Sequence, residues 1–179
     1  MKKRLIITLS LVAIAILAIG GTMAWFTSTP EAIDNTFKAG TVDIEVNENG
    51  FENITNWNPG DETNKDVTVI SKGTKKTYVR VQLTPTWSNE MSIDNIELMI
   101  NDNDWILHDG WYYYKYILEE NEETSKLLDS VKLLGEETSN DYQGATFTLN
   151  VKAESVQASN DAYKDVWGLT ALPSGVEEY

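Results

Sequence analysis

From Thr146 to Gln157 the chain alternates apolar and polar side chains, with Phe147, Leu149, Val151 and Ala153 on one phase. A helix of 3.6 residues per turn cannot lay such a series on one face, whereas a strand of period two can. The same rhythm recurs in Thr41–Val46, Val67–Ile70 and Thr77–Leu83. Ser71-Lys72-Gly73-Thr74 between the last two is a turn signal and predicts a hairpin, with Pro85 closing its second strand. Ile93–Ile100 reads as a strand through Ile96, Leu98 and Ile100, although Ile93, Ile96 and Met99 also suit a helix. Trp105–Leu107 and Trp111–Leu118 form a second predicted hairpin around His108-Asp109-Gly110. Asn101–Asp104 and the acidic run Glu119–Thr124 are expected loops, and Lys126–Leu134 a strand of weak alternation. Asp161–Trp167 reads as a short helix with Asn160 as its N-cap. Seven or eight short strands with few helices describe an all-β chain, a single antiparallel β-sandwich or jelly roll. At 179 residues, 41% of them hydrophobic, there is material for one packed domain. It is expected to span 35–172, followed by a loose tail over 173–179.

The N-terminus reads as an address. Lys2, Lys3 and Arg4 precede an apolar run from Leu5 to Ile19, which ends in Gly20-Gly21-Thr22-Met23-Ala24. That is the charged, apolar and small-residue order of a secretory signal peptide over 1–24, with cleavage expected between Ala24 and Trp25. The apolar run is shorter than the ~20 residues that a membrane span needs. Contact with the membrane is therefore expected only through the uncleaved signal peptide. The removed segment holds three basic and no acidic side chains. Of 14 basic and 28 acidic residues, 11 and 28 remain, and the net charge moves from −14 to −17. An exported chain without cysteine does not rely on oxidative folding, which fits secretion to a Gram-positive surface.

Composition removes several functions. A strongly acidic chain without a basic patch repels phosphate, so nucleic acid is not an expected partner. Absence of cysteine excludes thiolate metal sites and cysteine nucleophiles. The single histidine, His108, lies in a turn beside Asp109, where a solvated turn residue is the simpler reading than a catalytic base. No H-E-x-x-H, G-x-S-x-G or P-loop occurs. The pairs Glu119-Glu120, Glu122-Glu123 and Glu136-Glu137 sit in loops and read as solvated surface. Asp102-x-Asp104 offers hard oxygen ligands but lacks the glycine and distal glutamate of a calcium loop. Asn53-Ile54-Thr55 matches a short glycosylation sequon. Neither a catalytic residue nor a metal or cofactor site is expected. The unusual feature is Trp111-Tyr112-Tyr113-Tyr114. On a strand, Trp111 and Tyr113 face one way and Tyr112 and Tyr114 the other. One pair suits a core and the second either more core or an aromatic binding surface.

Gly21-Thr22-Met23-Ala24-Trp25-Phe26, followed by Asn35-Thr36-Phe37-Lys38-Ala39-Gly40-Thr41-Val42-Asp43-Ile44, resembles the start of the TasA/camelysin family. The second stretch matches its motif N-x-F-x-A/S-G-T-L/V-D-I/L. Asn58-Pro59-Gly60-Asp61 with Lys65, and Ser71-Lys72-Gly73-Thr74, are similar to the family's PGD…K…N-x-G segment. Asp109–Lys115, Asn150–Ala158 and Trp167-Gly168 resemble the BsaA-type, SipW-dependent biofilm matrix proteins of clostridia.

The resemblance implies a jelly-roll subunit that polymerises with itself into extracellular matrix fibres after a SipW-type peptidase releases its N-terminus. Other matrix proteins are further candidate partners. Residues 25–34 would be a donor segment, with Trp25, Phe26, Thr27 and Ile33, and with Phe37 beyond it, supplying the side chains that complete a neighbour's sheet. A head-to-tail contact of this kind propagates as a filament. Lys38 is a candidate crosslink lysine by analogy with covalent pilins. Leu172-Pro173-Ser174-Gly175 is not expected to act as a sortase signal. The alternatives are a monomeric secreted binding module with an aromatic ligand face, and a camelysin-like metalloprotease. The protease needs three protein ligands and an open position on zinc.

Overall fold

The computed structural model describes residues 41–48, 57–88 and 90–179. Among the described residues eight strands appear in chain order: β1 (Ile44–Asn47), β2 (Glu62–Ser71), β3 (Thr77–Trp87), β4 (Ile96–Ile100), β5 (Trp105–His108), β6 (Trp111–Tyr114), β7 (Leu128–Leu133) and β8 (Phe147–Gln157). They form two four-stranded antiparallel sheets, ordered β1-β2-β7-β4 and β5-β6-β3-β8. The architecture is a β-sandwich. No helix among the described residues is long and apolar enough to cross a membrane.

The alternation places the core where period two demands. β3 and β8 pair along their whole length, from Thr77 opposite Gln157 to Trp87 opposite Phe147. Val79 and Val81 on β3 are fully buried, as are Val67 and Val69 on β2. Leu149, Val151 and Ala153 on β8 and Val131 on β7 join the same cluster. Asp109 (φ 49°) and Gly110 (φ 77°) link β5 to β6, with His108 opposite Trp111. Two left-handed residues in a two-residue loop make the primed turn whose twist matches that of the strands.

Three local expectations change. The Ser71–Thr74 turn does not close a hairpin, because β2 and β3 lie in different sheets. The turn instead carries the chain across the sandwich and rests on the residues leading into β1. The amides of Lys72 and Gly73 both donate to Asp43 O, at 2.8 and 3.1 Å. A Cβ on Gly73 would stand 2.3 Å from Thr41 O, so this crossing needs glycine for its close backbone approach. Pro85 does not end β3, which runs on to Trp87. β6 pairs with β3 only at Arg80 and Val81. Pro85 therefore sits where one side of β3 has no strand among the described residues, and its missing N–H is tolerated. The helix α1 begins at Ala162 and ends at Trp167. Asn160 (φ 61°) and Asp161 (φ 52°) before it are both left-handed, and no side chain caps it.

A second apolar cluster lies on the outer face of the β5-β6-β3-β8 sheet. Tyr78, Tyr113 and Val156 form it, and Tyr163, Trp167, Leu169, Leu172 and Val176 cover it. Residues 173–179, expected as a loose tail, lie here with Val176 buried and the Glu177 amide donating to Lys115 O at 2.8 Å.

Candidate functional site

One end of the sandwich holds an aromatic cleft. β3 ends on Trp87, β8 begins on Phe147, and Trp57 precedes β2. The Trp57 ring lies 6.4 Å from Trp87 and 5.5 Å from Phe147, and Trp87 and Phe147 stand 5.3 Å apart edge to face. Trp87 is oriented by its indole N–H, which donates to Asn95 Oδ1 at 3.1 Å. Asn95 is itself buried. Tyr142 closes on the other side of Trp87 at 5.3 Å, and its hydroxyl donates to Ser92 O at 3.0 Å. These rings, with Val131, Leu133 and Leu149, wall a cavity of about 770 Å³ whose rim is Thr138–Thr146 and Trp57–Pro59.

Polar side chains, Thr63 and Thr138 among them, share the lining with the rings, and two polar features stand out. Lys65 lines the cleft at 3% side-chain exposure, and its ammonium meets Glu48 Oε2 at 2.6 Å. A buried cation in such a wall is tolerated because it is paired. The indole N–H of Trp57 is buried with no acceptor among the described residues. Beside the cleft, β1 pairs with β2 only from Thr68 to Ser71. The stretch Glu62–Val67 therefore has β7 on one side and no strand on the other among the described residues. A strand edge unpaired among the described residues, next to an aromatic slot, can bind an extended segment, the edge through main-chain hydrogen bonds and the slot through side chains.

Of the residues singled out from sequence, Ala24, Trp25, Phe26, Thr27, Ile33, Phe37 and Lys38 lie outside the described residues, as does Asn53. Trp111, Tyr112, Tyr113 and Tyr114 alternate as period two requires, and both faces are covered. Tyr112 and Tyr114 point into the sandwich core, while Trp111 and Tyr113 lie under the C-terminal segment. Tyr113 and Tyr114 are buried and Trp111 and Tyr112 half-buried, so the quartet serves mainly as packing.

Arg80, not anticipated from the sequence, organises this outer face. Its guanidinium lies 4.2 Å from the Trp111 ring centroid and 4.6 Å from that of Trp167. Its Nε and Nη2 donate to Glu154 Oε2 at 3.0 and 2.7 Å, and Nη1 donates to the Tyr113 hydroxyl at 3.1 Å. Burial pushes the Glu154 carboxyl up, but hydrogen bonds from Lys152 and Arg80 outweigh it and hold the pKa below the ordinary value.

The remaining candidates resolve into structure. His108 is exposed, with Nε2 3.4 Å from Asp109 Oδ2. The Asn101–Asp104 loop already has its cation. The Lys115 ammonium donates to the carbonyls of Asp102 and Asn103 at 2.9 and 2.6 Å. Asp104 is lowered chiefly by hydrogen bonds from Ser125 and Asn101. That lysine engages main-chain oxygens of the loop, and the Asp104 carboxylate accepts from Asn101 Nδ2 at 3.1 Å. Among the described residues no group of three or more His, Cys, Asp or Glu is placed to hold a metal.

A family model described as camelysin metallo-endopeptidase matches residues 1–97. No curated protein matches the chain. The zinc implied by that description does not fit the residues described. The matched span contains no histidine or cysteine, and the one histidine outside it has a single carboxylate beside it in an exposed turn. Since the match covers more than half of the 179 residues, the chain belongs to the TasA/camelysin family.

Proposed function

We infer that this chain is a secreted structural subunit that polymerises into extracellular biofilm-matrix fibres of a Gram-positive bacterium, in the manner of the BsaA-type branch. Cleavage between Ala24 and Trp25 by a SipW-type peptidase frees the donor segment. Trp25, Phe26, Thr27 and Ile33, with Phe37, then enter the cleft of the next copy and pair with the free side of β2. The observation that carries this reading is the combination at one end of the sandwich. An aromatic slot of about 770 Å³ adjoins a strand edge unpaired over Glu62–Val67 among the described residues. A slot walled by Trp57, Trp87 and Phe147 suits aromatic donor side chains, and the indole N–H of Trp57 suits a donor main-chain carbonyl.

A metalloprotease reading lacks a ligand set among the described residues. A binding-module reading would use the cleft and not Trp111–Tyr114, which is packed on both sides. The test compares a chain beginning at Trp25 with one beginning at Asn35 by size exclusion and negative-stain microscopy. Filaments from the first and monomers from the second are expected. Filaments from both would sink strand donation, and monomers from both would sink self-assembly.

A further inference from the structure

β8 stands at the edge of its sheet, with β3 on one side and no strand on the other among the described residues. It runs for 11 residues, about twice the usual length of a strand. Its register with β3 is continuous from Thr77 opposite Gln157 to Trp87 opposite Phe147, without a bulge. Ala158 N–H donates to Lys76 O beyond one end of this ladder, and Ser88 N–H to Thr146 O beyond the other, at 2.8 and 2.9 Å. The even-numbered residues of β8 therefore turn their main-chain groups toward β3. Phe147, Leu149, Val151, Ala153, Ser155 and Gln157 turn theirs to the free side. The side chains of Leu149, Val151 and Ala153 pack on the core yet stay only half-buried. Sheets blunt a long edge with proline, a bulge or an inward-pointing charge. β8 has none of these. Its charges, Lys152 and Glu154, lie on the outer face beside Trp111 and Arg80.

We propose that the free edge of β8 is a docking surface for β8 of a second copy, the two strands running antiparallel about a two-fold axis at Ala153. Charge selects this register. With Ala153 opposite itself, Lys152 faces the second copy's Glu154, and Glu154 faces its Lys152. Both are non-hydrogen-bonded pairs, where opposed side chains stand closest. The adjacent registers, centred on Lys152 or on Glu154, set like charges face to face. Within one chain Lys152 Nζ lies 2.8 Å from Glu154 Oε1, so the pairing joins two ion pairs into one alternating cluster. The outward main-chain groups of β8 find partners, and two four-stranded sheets become one continuous sheet. Such a contact is isologous and closes on itself. It uses neither the cleft nor the N-terminal segment. One strand edge is small against the roughly 1,200 Å² that a stable interface buries. Copies therefore pair weakly in dilute solution and firmly where a polymer repeats the contact.

The chain has no cysteine, so introduced ones report the contact cleanly. Chains beginning at Trp25 and carrying either Lys152→Cys or Glu154→Cys are mixed at high concentration and oxidised. In the proposed register the two thiols face each other only between unlike chains. A mixed dimer several-fold above the level of random pairing is expected, and a mixed dimer at that level overturns the proposal. Glu154→Cys also removes the carboxylate that Arg80 holds. Hydrogen exchange on the unsubstituted chain at two concentrations therefore gives a second reading. The outward amides of Leu149, Val151, Ala153 and Ser155 are expected to exchange several-fold more slowly at the higher concentration. Exchange that does not change with concentration overturns the proposal. Neither reading depends on filaments, so microscopy of the same samples tells a failure here from a failure of strand donation.

Discussion

Replacing Arg80 by alanine tests whether the outer face is held by its cation. The guanidinium is sandwiched between Trp111 and Trp167, bonded to Glu154 and Tyr113, and only 11% exposed. Two largely desolvated stacking contacts contribute about 1 kcal/mol each. The hydrogen bond to Tyr113 contributes about 1 kcal/mol. The Glu154 pair adds about another, modest because Glu154 is 28% exposed and keeps Lys152 at 2.8 Å. Collapse of the two indoles onto the vacated space recovers some of this, leaving a net loss of about 3 kcal/mol. In a domain of this size that lowers Tm by about 10 °C. Arg80→Lys keeps the charge but loses the planar stack and the fork, so about half of the loss is expected. Urea denaturation of the chain beginning at Asn35, followed by tryptophan emission, measures both variants. In an Arg80→Ala/Glu154→Gln cycle the coupling is expected at about 1 kcal/mol. An Arg80→Ala loss under about 0.5 kcal/mol, or an Arg80→Lys variant equal to the parent, refutes the stacking account.

Gly73→Ala pushes a methyl against Thr41 O and Asp43 N. A loss of about 2 kcal/mol is expected in denaturant melts, together with faster hydrogen exchange in β1. Acid also weakens the fold. Glu154 and Asp104 both have folded-state pKa values held below their ordinary ones. Their contribution is complete above the unfolded carboxyl range of about 4 and is lost as pH falls through the folded values. Tm scans from neutral pH downward should therefore stay level and then drop, and Asp104→Asn should flatten part of that drop.

The functional end of the molecule was poorly legible in the sequence. Trp57, Trp87 and Phe147 are far apart in the chain, and each reads as an ordinary apolar position in or beside a strand. They meet because β3 and β8 pair in a register that sets Trp87 opposite Phe147, and register between distant strands carries no local signal. Lys65 reads as part of a turn-like PGD segment, yet it lies inside the sandwich wall against Glu48. The outer apolar cluster was missed for a related reason. Alternation marks one buried face, whereas β8 changes its buried side from Ala153 to Val156 and serves both the inner core and the outer cluster.

What the residues determined by themselves was local: strand after strand by period two, the β5–β6 turn by Asp109-Gly110, and the loops by their acidic and glycine punctuation. Family membership was also legible, because its motifs are contiguous. Which strands became neighbours was decided only in three dimensions. Val67–Ile70 and Thr77–Leu83 look like a hairpin because their separation suits a turn. Yet β3 finds in β8 a partner of equal length, and β2 completes its ladders with β1 and β7. Short-range patterning specifies which face of a strand is buried. Long-range burial and hydrogen-bond satisfaction specify its partners, and only the folded chain sums those energies.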